Sequence, residues 1–367
     1  MQPALPALRP LETLTLALRR LYEQYGYAAF SMTHMEEYAF YIENRNFLEQ
    51  PEIAVFSDLD GRLLALKPDV TLSIVRSVPV DNTQLQRLYY AENVFRASAQ
   101  AGGFRELSQM GLECIGCVTE YAVAEVVSLA EKSLRETGLD FALELSHLDL
   151  LSALLDGLSL PHGAREAILA CVKQKNAHDL LPTAERAGLG SADVDRLLTL
   201  ITAPGTVPEA LSAARRAAQG GRMRRAADAL ERLCDALCSD RVRLDFSIVS
   251  DTAYYNGVAF RGYVQGAPVP VLRGGEYDNL LERMGKGAMR AIGFALYLGE
   301  LARCLPAPAA DDGGTLLLYD PAMPPERVRT AVEARVAAGE RVTALTEAPA
   351  GGRFARTVDL RKEGASC

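Results

Sequence analysis

The sequence has 367 residues, of which 49% are hydrophobic and 23% are charged, and its formal net charge is −8. A chain of this size buries a substantial core and predicts two or three domains. The acidic balance argues against nucleic-acid binding over the whole surface, because phosphate contacts need lysine and arginine gathered on one face. The one arginine cluster, at residues 215–225, is interpreted as a solvated helix face, with phosphate or an acidic partner as the alternative.

The cysteines and histidines have no spacing that is typical of a metal site. Seven cysteines scattered along the chain indicate reduced thiols. Cys114 and Cys117 form a C-x-x-C, but it lies in an apolar run and no second pair follows. We therefore predict no metal and no cofactor. Residues 1–22 alternate leucine with charged residues and form no apolar run, so we expect a cytoplasmic protein without a membrane span.

The first third of the chain predicts one helix followed by antiparallel strands. Leucines at helical spacing predict a helix over 9–24, which Gly26 ends. Short β-type runs follow at 53–57, 63–67, 85–95 and 104–115. Turn signals between them indicate hairpins. Strands that follow each other without helices favour an α+β fold with an antiparallel sheet and flanking helices.

The middle of the chain predicts a helical insertion within the sheet domain. Helices at 120–137 and 148–158 flank a strand at 141–145. The next stretch, at about 160–237, is rich in alanine and leucine, and we interpret it as a mostly helical insertion. Sheet patterning then resumes, with runs at 242–249, 254–264 and 269–272, a glycine turn at 274–275, a helix at 277–283 and an apolar run at 292–301.

The end of the chain predicts a small, separate α/β piece. A linker rich in proline and alanine follows residue 305. Beyond it lie a strand at 315–319, a helix from about Pro324 and a strand at 341–345. The predicted domains are therefore 1–304, interrupted by the insertion, and 314–367, which is close to the lower size limit for a domain.

Three blocks of sequence resemble the catalytic core of class II aminoacyl-tRNA synthetases, and specifically the histidyl enzyme. The first, L-K-P-D-V-T at 66–71, is similar to the family's L-R-P-E-x-T. The second is similar to the motif 2 hairpin and reads V-F-R at 94–96 and F-R-E-L-S-Q-M-G-L-E-C-I-G at 104–116. The third reads Y-Y-N-G at 254–257, G-G-E-Y-D at 274–278 and I-G-F-A at 292–295. Their order over residues 9–304 makes the resemblance specific.

The resemblance implies that a histidine binds on the sheet, and the matching residue types suit that ligand. An α-ammonium needs an anion and a hydroxyl acceptor, which Asp69 and Thr71 offer. An imidazole both donates and accepts hydrogen bonds, as Glu113 and a tyrosine can. The predicted histidine-binding residues are Asp69, Thr71, Arg96, Gln109, Glu113, Tyr254 and Tyr255, with Arg96 and Gln109 facing the carboxylate. The alternative is that Thr71 caps a helix and the two tyrosines fill the core.

Three departures from the synthetase pattern remove cations. Motif 3 of the family ends in G-L-E-R, whereas residues 297–300 read Y-L-G-E, so that Glu300 takes the arginine position. The motif 2 loop at 99–103 contains no cation, and the family's R-G-L-D becomes S-D-T-A at 250–253. Adenylate formation depends on positioning and on cations that stabilise phosphate charge. We therefore predict no aminoacyl-adenylate chemistry.

A chain that keeps the amino-acid pocket but loses these cations resembles the synthetase-like regulatory subunits of short-form ATP phosphoribosyltransferase. That resemblance implies a regulatory subunit rather than an enzyme, which joins the short-form catalytic subunit in the first step of histidine biosynthesis and binds L-histidine in feedback. The C-terminal piece has no basic stripe, so we expect no tRNA binding. The motif 1 region, at 25–47, implies a homodimer within a hetero-oligomer. The alternatives are a divergent histidine-activating ligase and a tRNA-binding synthetase paralogue.

Overall fold

The computed structural model describes residues 8–48, 52–81, 83–98, 102–249, 254–306, 314–349 and 354–362. The chain forms two compact units, Leu14–Leu305 and a smaller one that joins Met1–Thr13 to Pro306–Cys367. The domain limits drawn from the sequence, 1–304 and 314–367, stay a prediction.

Helices and strands alternate in groups between residues 10 and 304. The strands are β1 (Ala28–Ala29), β2 (Met35–Glu37), β3 (Val55–Ser57), β4 (Leu63–Leu66), β5 (Leu85–Ser98), β6 (Gly103–Gly116), β7 (Phe141–His147), β8 (Val242–Leu244), β9 (Asn256–Val264), β10 (Leu272–Glu276) and β11 (Arg290–Tyr297). The helices are α1 (Pro10–Gln24), α2 (Tyr38–Glu43), α3 (Thr71–Ser77), α4 (Glu120–Arg135), α5 (Leu148–Asp156), α6 (Ala164–Lys173), α7 (Ala177–Arg186), α8 (Ser191–Ile201), α9 (Val207–Ala217), α10 (Gly220–Leu237), α11 (Asp278–Arg283) and α12 (Leu298–Cys304).

The main sheet of the larger unit has eight strands in the order β1-β5-β6-β11-β10-β9-β7-β8. Its six inner strands pair antiparallel, and the hairpin of β5 with β6 runs from Leu85↔Gly116 to Ser98↔Gly103. The edge strands β1 and β8 pair parallel. A long stretch of chain separates each of them from its partner strand, as a parallel pair requires. The α+β fold class with an antiparallel sheet and flanking helices is confirmed. Helices α6 to α10 form the predicted insertion.

Strand β10 corrects the prediction of a turn at 274–275. Both glycines lie inside the strand, where Gly274 pairs with Phe294 and Gly275 with Gly293. A Cβ built on Gly274 would lie 2.5 Å from the carbonyl oxygen of Gly293 and from the Phe260 ring. Glycine is therefore present because neighbouring groups approach the backbone, which is a second use of this residue besides the turn.

Strand β8 ends earlier than the predicted 242–249. The carboxylate of Asp245 accepts hydrogen bonds from the backbone N–H of Ser247 at 2.9 Å and from its hydroxyl at 2.7 Å. This local bonding turns the backbone out of the ladder, as aspartate followed by serine often does. The remaining residues, up to Val249, instead reach the face of the main sheet.

The smaller unit contains a three-stranded parallel sheet. Its elements are β12 (Thr315–Leu318), α13 (Pro325–Ala337), β13 (Val342–Leu345) and β14 (Arg356–Asp359), with strand order β13-β12-β14. Leu317, Val358 and Leu360 form its buried core. The sequence predicts the first three elements but not β14, a four-residue strand with two exposed positions. Among all the described helices, none is both long and apolar enough to cross a membrane.

Candidate amino-acid binding site

A cavity of about 190 Å³ lies on one face of the main sheet. The predicted binding residues that line it are Asp69, Thr71, Arg96, Gln109, Glu113, Tyr254 and Tyr255. They come from β5, β6, the start of α3 and the segment before β9, so the fold brings all three sequence blocks together. That these residues bind histidine stays a prediction.

The floor of the cavity is made of small residues on four neighbouring strands. Two rows that cross β6, β11, β10 and β9 follow from the strand register. The first row is Glu113, Gly293, Gly275 and Ala259, and the second is Gly111, Ala295, Arg273 and Arg261. Glycine and alanine thus separate the carboxyl group of Glu113 on one flank from two guanidinium groups on the other.

Glu113 is the buried acid of the cavity. Its Oε1 accepts a hydrogen bond from the Thr71 hydroxyl at 2.6 Å, and its Oε2 accepts one from the Tyr277 hydroxyl at 2.6 Å. Burial raises the pKa of Glu113 to about 8, although both hydrogen bonds act in the opposite direction. At neutral pH the side chain is therefore mostly protonated, and it can donate its own proton to a ligand.

Gly293, opposite Glu113 on β11, makes this position possible. A Cβ built on Gly293 would overlap Oε2 of Glu113 and lie 2.6 Å from the carbonyl oxygen of Leu112. Any larger residue would displace the carboxyl group or the backbone of β6. The I-G-F-A block thus contributes space to the site rather than a functional group.

Asp69 and Thr71 have different tasks at the start of α3. One Asp69 oxygen accepts a hydrogen bond from the backbone N–H of Leu72 at 2.9 Å, so Asp69 caps the helix. Thr71 instead directs its hydroxyl to Glu113. The alternative that Thr71 is the capping residue is therefore wrong.

Arg96 lies at the edge of the cavity and contacts the loop before α3. Its Nε donates to the carbonyl oxygen of Pro68 at 3.0 Å, and its Nη2 lies 3.8 Å from Asp69. The guanidinium group thus holds the Asp69 loop in place. Its predicted contact with a ligand carboxylate remains untested.

Gln109 is buried to 97% and faces the same cavity. Its Nε2 has no hydrogen-bond partner among the described residues. A buried donor without a partner carries a free-energy penalty, so such a group marks a place where a ligand or water completes the site. Gln109 and Glu113 lie on the same face of β6, as their spacing predicts.

Three tyrosines close the cavity beside Glu113. The rings of Tyr254 and Tyr255 meet edge to face, with centroids 4.7 Å apart, and Tyr254 lies 5.9 Å from Tyr277. Burial raises the pKa of Tyr254 and Tyr277 well above the usual value, so both keep their hydroxyl protons. Sequence reasoning missed Tyr277 as a site residue, although the G-G-E-Y-D block contains it.

Sequence reasoning also missed Arg261 and Arg273. They are direct cross-strand partners on β9 and β10, and both line the cavity. Glu144, on β7, is the next residue across the sheet from Arg261, and the positive charge of Arg261 counteracts part of the rise that burial causes in the pKa of Glu144. The sequence placed Arg261 in the predicted strand 254–264 and Arg273 between the predicted strand 269–272 and the predicted turn, which gives no indication that they meet.

The departures from the synthetase pattern have different structural outcomes. Tyr297, at the position of the motif 3 glycine, lines the cavity. Glu300 lies in the first turn of α12 and forms an ion pair with Arg303 at 3.1 Å. Residues 250–253 and 99–101 lie outside the described residues. In the part of the chain that is described, no group of three or more potential metal ligands occurs.

Comparison with known proteins gives the family. The model of the histidyl-tRNA synthetase family matches residues 4–301. This chain belongs to the histidyl-tRNA synthetase family. The ATP phosphoribosyltransferase regulatory subunit of Symbiobacterium thermophilum is 32% identical over 308 residues, which cover 79% of this chain and 75% of that protein. The histidine–tRNA ligase of Methanocaldococcus jannaschii is 30% identical over 283 residues, which cover 76% of this chain and 68% of the ligase.

A solved structure confirms the fold of the histidyl-tRNA synthetase family. The crystal structure described as an ATP phosphoribosyltransferase regulatory subunit/histidyl-tRNA synthetase from Bacillus halodurans superposes with a TM-score of 0.81. The match covers 95% of this chain and 93% of that one at 24% identity. The resemblance stated from the three sequence blocks is thereby confirmed, and the family includes both regulatory subunits and ligases.

Proposed function

We propose that this chain is a regulatory subunit of ATP phosphoribosyltransferase, which acts in the first step of histidine biosynthesis and responds to L-histidine. Its similarity to the regulatory subunit of S. thermophilum supports this role. The observation that carries the proposal is that the chain keeps the amino-acid-binding residue types of a synthetase but not its ATP-binding ones. The residues for an amino acid are present, whereas Tyr297 and Glu300 take the positions of the glycine and arginine of motif 3.

The amino-acid part of the proposal rests on complementary chemistry. Asp69 offers a negative charge to an ammonium group, and Glu113 lies in a buried pocket that suits a ring nitrogen. The raised pKa of Glu113 allows it to donate to an imidazole or to pass its proton to it. Histidine carries both groups, so it fits this arrangement better than an amino acid with an apolar side chain.

The absence of adenylate chemistry is the second part of the proposal. A carboxylate at position 300 repels a triphosphate where an arginine would attract it. The Tyr297 ring takes up space that a glycine leaves open. Adenylate formation relies on electrostatic stabilisation of the phosphate groups, so the two changes together oppose activation of an amino acid by ATP.

Assembly is the third part. We infer a homodimer formed through the motif 1 region at 25–47, which docks on the short-form catalytic subunit. The small sheet of β2, β4 and β3 next to this region exposes apolar side chains, namely Met35, Val55, Phe56 and Leu63. Since Val55 and Phe56 are consecutive on β3, exposed apolar side chains occur on both faces of this small sheet, and a partner could cover either face.

The rival proposals are a histidine-activating ligase and a tRNA-binding paralogue. Similarity to the M. jannaschii ligase favours the first, and amino-acid-dependent pyrophosphate exchange with ATP would establish it. The second depends on the arginine cluster at 215–225. Arg215 pairs there with Glu231, and Arg222 pairs with Asp149 and Asp156, so acidic neighbours neutralise two of its five arginines.

The decisive experiment is co-purification with a short-form catalytic subunit, followed by activity assays with and without L-histidine. We expect a stable complex, higher activity than the catalytic subunit alone and inhibition by histidine. Histidine can shift activity only as far as its affinity differs between the active and inactive states. No complex, together with histidine-dependent pyrophosphate exchange, would refute the proposal in favour of the ligase.

A further inference from the structure

The two arginines on the cavity floor give it a positive flank. Arg261 and Arg273 face each other across β9 and β10, and like charges in such a pair repel each other. Glu144 lies beside Arg261 on β7, whereas Ala295 lies beside Arg273 on β11. Both guanidinium groups line the cavity, so this row of the sheet brings positive charge to it.

Gln109 adds an independent observation. Its buried Nε2 has no partner among the described residues, and it lines the same cavity as Arg273. Neighbouring strands lie about 4.8 Å apart, so the two strand positions between Arg273 on β10 and β6 amount to roughly 10 Å. An extended arginine and a glutamine amide that point into this gap can both reach a small oxyanion between them.

The two acidic side chains lie elsewhere in the cavity. Glu113 is one row away from Arg273, and Asp69 approaches from the start of α3. Between Glu113 and Arg273 the strand register places Gly293, Gly275 and Ala295, so no large side chain of β10 or β11 separates the two groups. A histidine that lies across the cavity floor would place its ring at Glu113 and its ammonium group at Asp69. Its carboxylate would then lie towards the guanidinium group of Arg273.

We propose that Arg273, supported by Arg261 and by the Gln109 amide, binds the α-carboxylate of the amino acid in the cavity. Arg273 thereby replaces the arginine that the synthetase pattern has at position 250, where this sequence has serine. A guanidinium group binds a carboxylate through two parallel hydrogen bonds, which makes an arginine the side chain best suited to this end of the ligand. This inference rests on the proposed binding of histidine.

The test compares ligands with and without the carboxylate. Calorimetry measures the affinity of the full chain and of Arg273→Gln for L-histidine and for L-histidinol, which keeps the ammonium group and the ring. We expect Arg273→Gln to lose about tenfold to a hundredfold in affinity for histidine, the range typical of a charged hydrogen bond. Its affinity for histidinol should change less than about threefold.

Two further variants separate a binding role from a structural one. Arg273→Lys keeps the charge but not the paired hydrogen bonds, so we expect it to recover part of the affinity for histidine. Arg329→Gln removes an arginine from the exposed face of α13 and should bind both ligands as the parent does. Binding of histidinol by Arg273→Gln also reports that its cavity is folded.

Each outcome bears on one proposal. If the parent binds neither ligand, alone or with the catalytic subunit, histidine binding itself is refuted. If it binds histidine but Arg273→Gln keeps the same preference for histidine over histidinol, the role of Arg273 is refuted and histidine binding stands. If inorganic phosphate binds the parent but not Arg273→Gln, while the two proteins show the same preference for histidine over histidinol, the subsite serves phosphate rather than carboxylate.

Discussion

Two parts of the larger unit differ in how closely they follow the synthetase pattern. Around Glu113, the acid, its hydrogen-bond donors and the glycine that gives it room are all present. Near the end of β11 and the start of α12, Tyr297 and Glu300 replace a glycine and an arginine. The difference teaches that the residues for an amino acid can be kept while residues at the ATP positions change, because the two sets do not overlap even where they share β11.

The largest expected effect comes from Gly293→Ala, which breaks the part that follows the pattern. The new methyl group would overlap the Glu113 carboxyl and press on the Leu112 carbonyl oxygen. Overpacking of this kind costs about 1–3 kcal/mol of unfolding free energy. We also expect more than a hundredfold weaker binding of histidine, because a displaced Glu113 no longer meets the ring; calorimetry and urea unfolding measure both.

Gly299→Ala is the matched control. Nothing lies within 4 Å of a Cβ built there, so the stability and the affinity for histidine should both stay close to those of the parent. Unchanged affinity in Gly293→Ala would mean that Glu113 does not contact the ligand.

The second prediction concerns pH. The folded chain holds a proton on Glu113 up to about pH 8, whereas the unfolded chain releases it near the ordinary pKa of a glutamate, about 4.3. The contribution of this group to stability is therefore full below pH 4.3, falls as the pH rises towards 8 and is level above it. Urea unfolding at a series of pH values measures the unfolding free energy of the parent and of Glu113→Gln. Between about pH 4.3 and 8 the free energy of the parent should fall more steeply with pH than that of the variant. Equal slopes would contradict the raised pKa.

The sequence predicts most of the large sheet, because β5 and β6 each form one long β-type run and the turn between them is marked by glycine. It cannot predict that Arg261 meets Arg273, or that Tyr277 reaches Glu113. Both facts depend on which strands become neighbours and in which register. The error at 274–275 has the same origin: glycine is typical of turns, and only the packed sheet reveals that Phe260 needs the space.

The third prediction tests the support of α3, which carries Thr71. The Nζ of the buried Lys286 donates hydrogen bonds to the carbonyl oxygens of Val75, Arg76 and Val78 at the C-terminal end of this helix. Lys286→Met leaves those carbonyl groups without their charged donor, so we expect a loss of about 1.5–3 kcal/mol in unfolding free energy. Affinity for histidine should fall only a few-fold, since Thr71 is at the opposite end of α3.

Lys362→Met removes an exposed lysine that lies outside the helices and is the control for Lys286→Met. Its stability should stay within about 0.5 kcal/mol of the parent, as is usual for substitutions away from such features. A similar loss in both variants would mean that charge alone, rather than the helix end, accounts for the effect.

The smallest expected effect tests the part that departs from the pattern. In Tyr297→Gly with Glu300→Arg, the ring is removed and a carboxylate is replaced by a guanidinium group, so attraction replaces repulsion near a bound triphosphate. We expect ATP affinity to rise by up to about tenfold, the equivalent of 1.4 kcal/mol, as measured by equilibrium dialysis. Pyrophosphate exchange should stay at background, because the motif 2 loop and residue 250 still lack cations. Pyrophosphate exchange by the double variant but not by the parent would assign the loss of ATP chemistry to these two positions alone. Pyrophosphate exchange by the parent would overturn the distinction between the two parts.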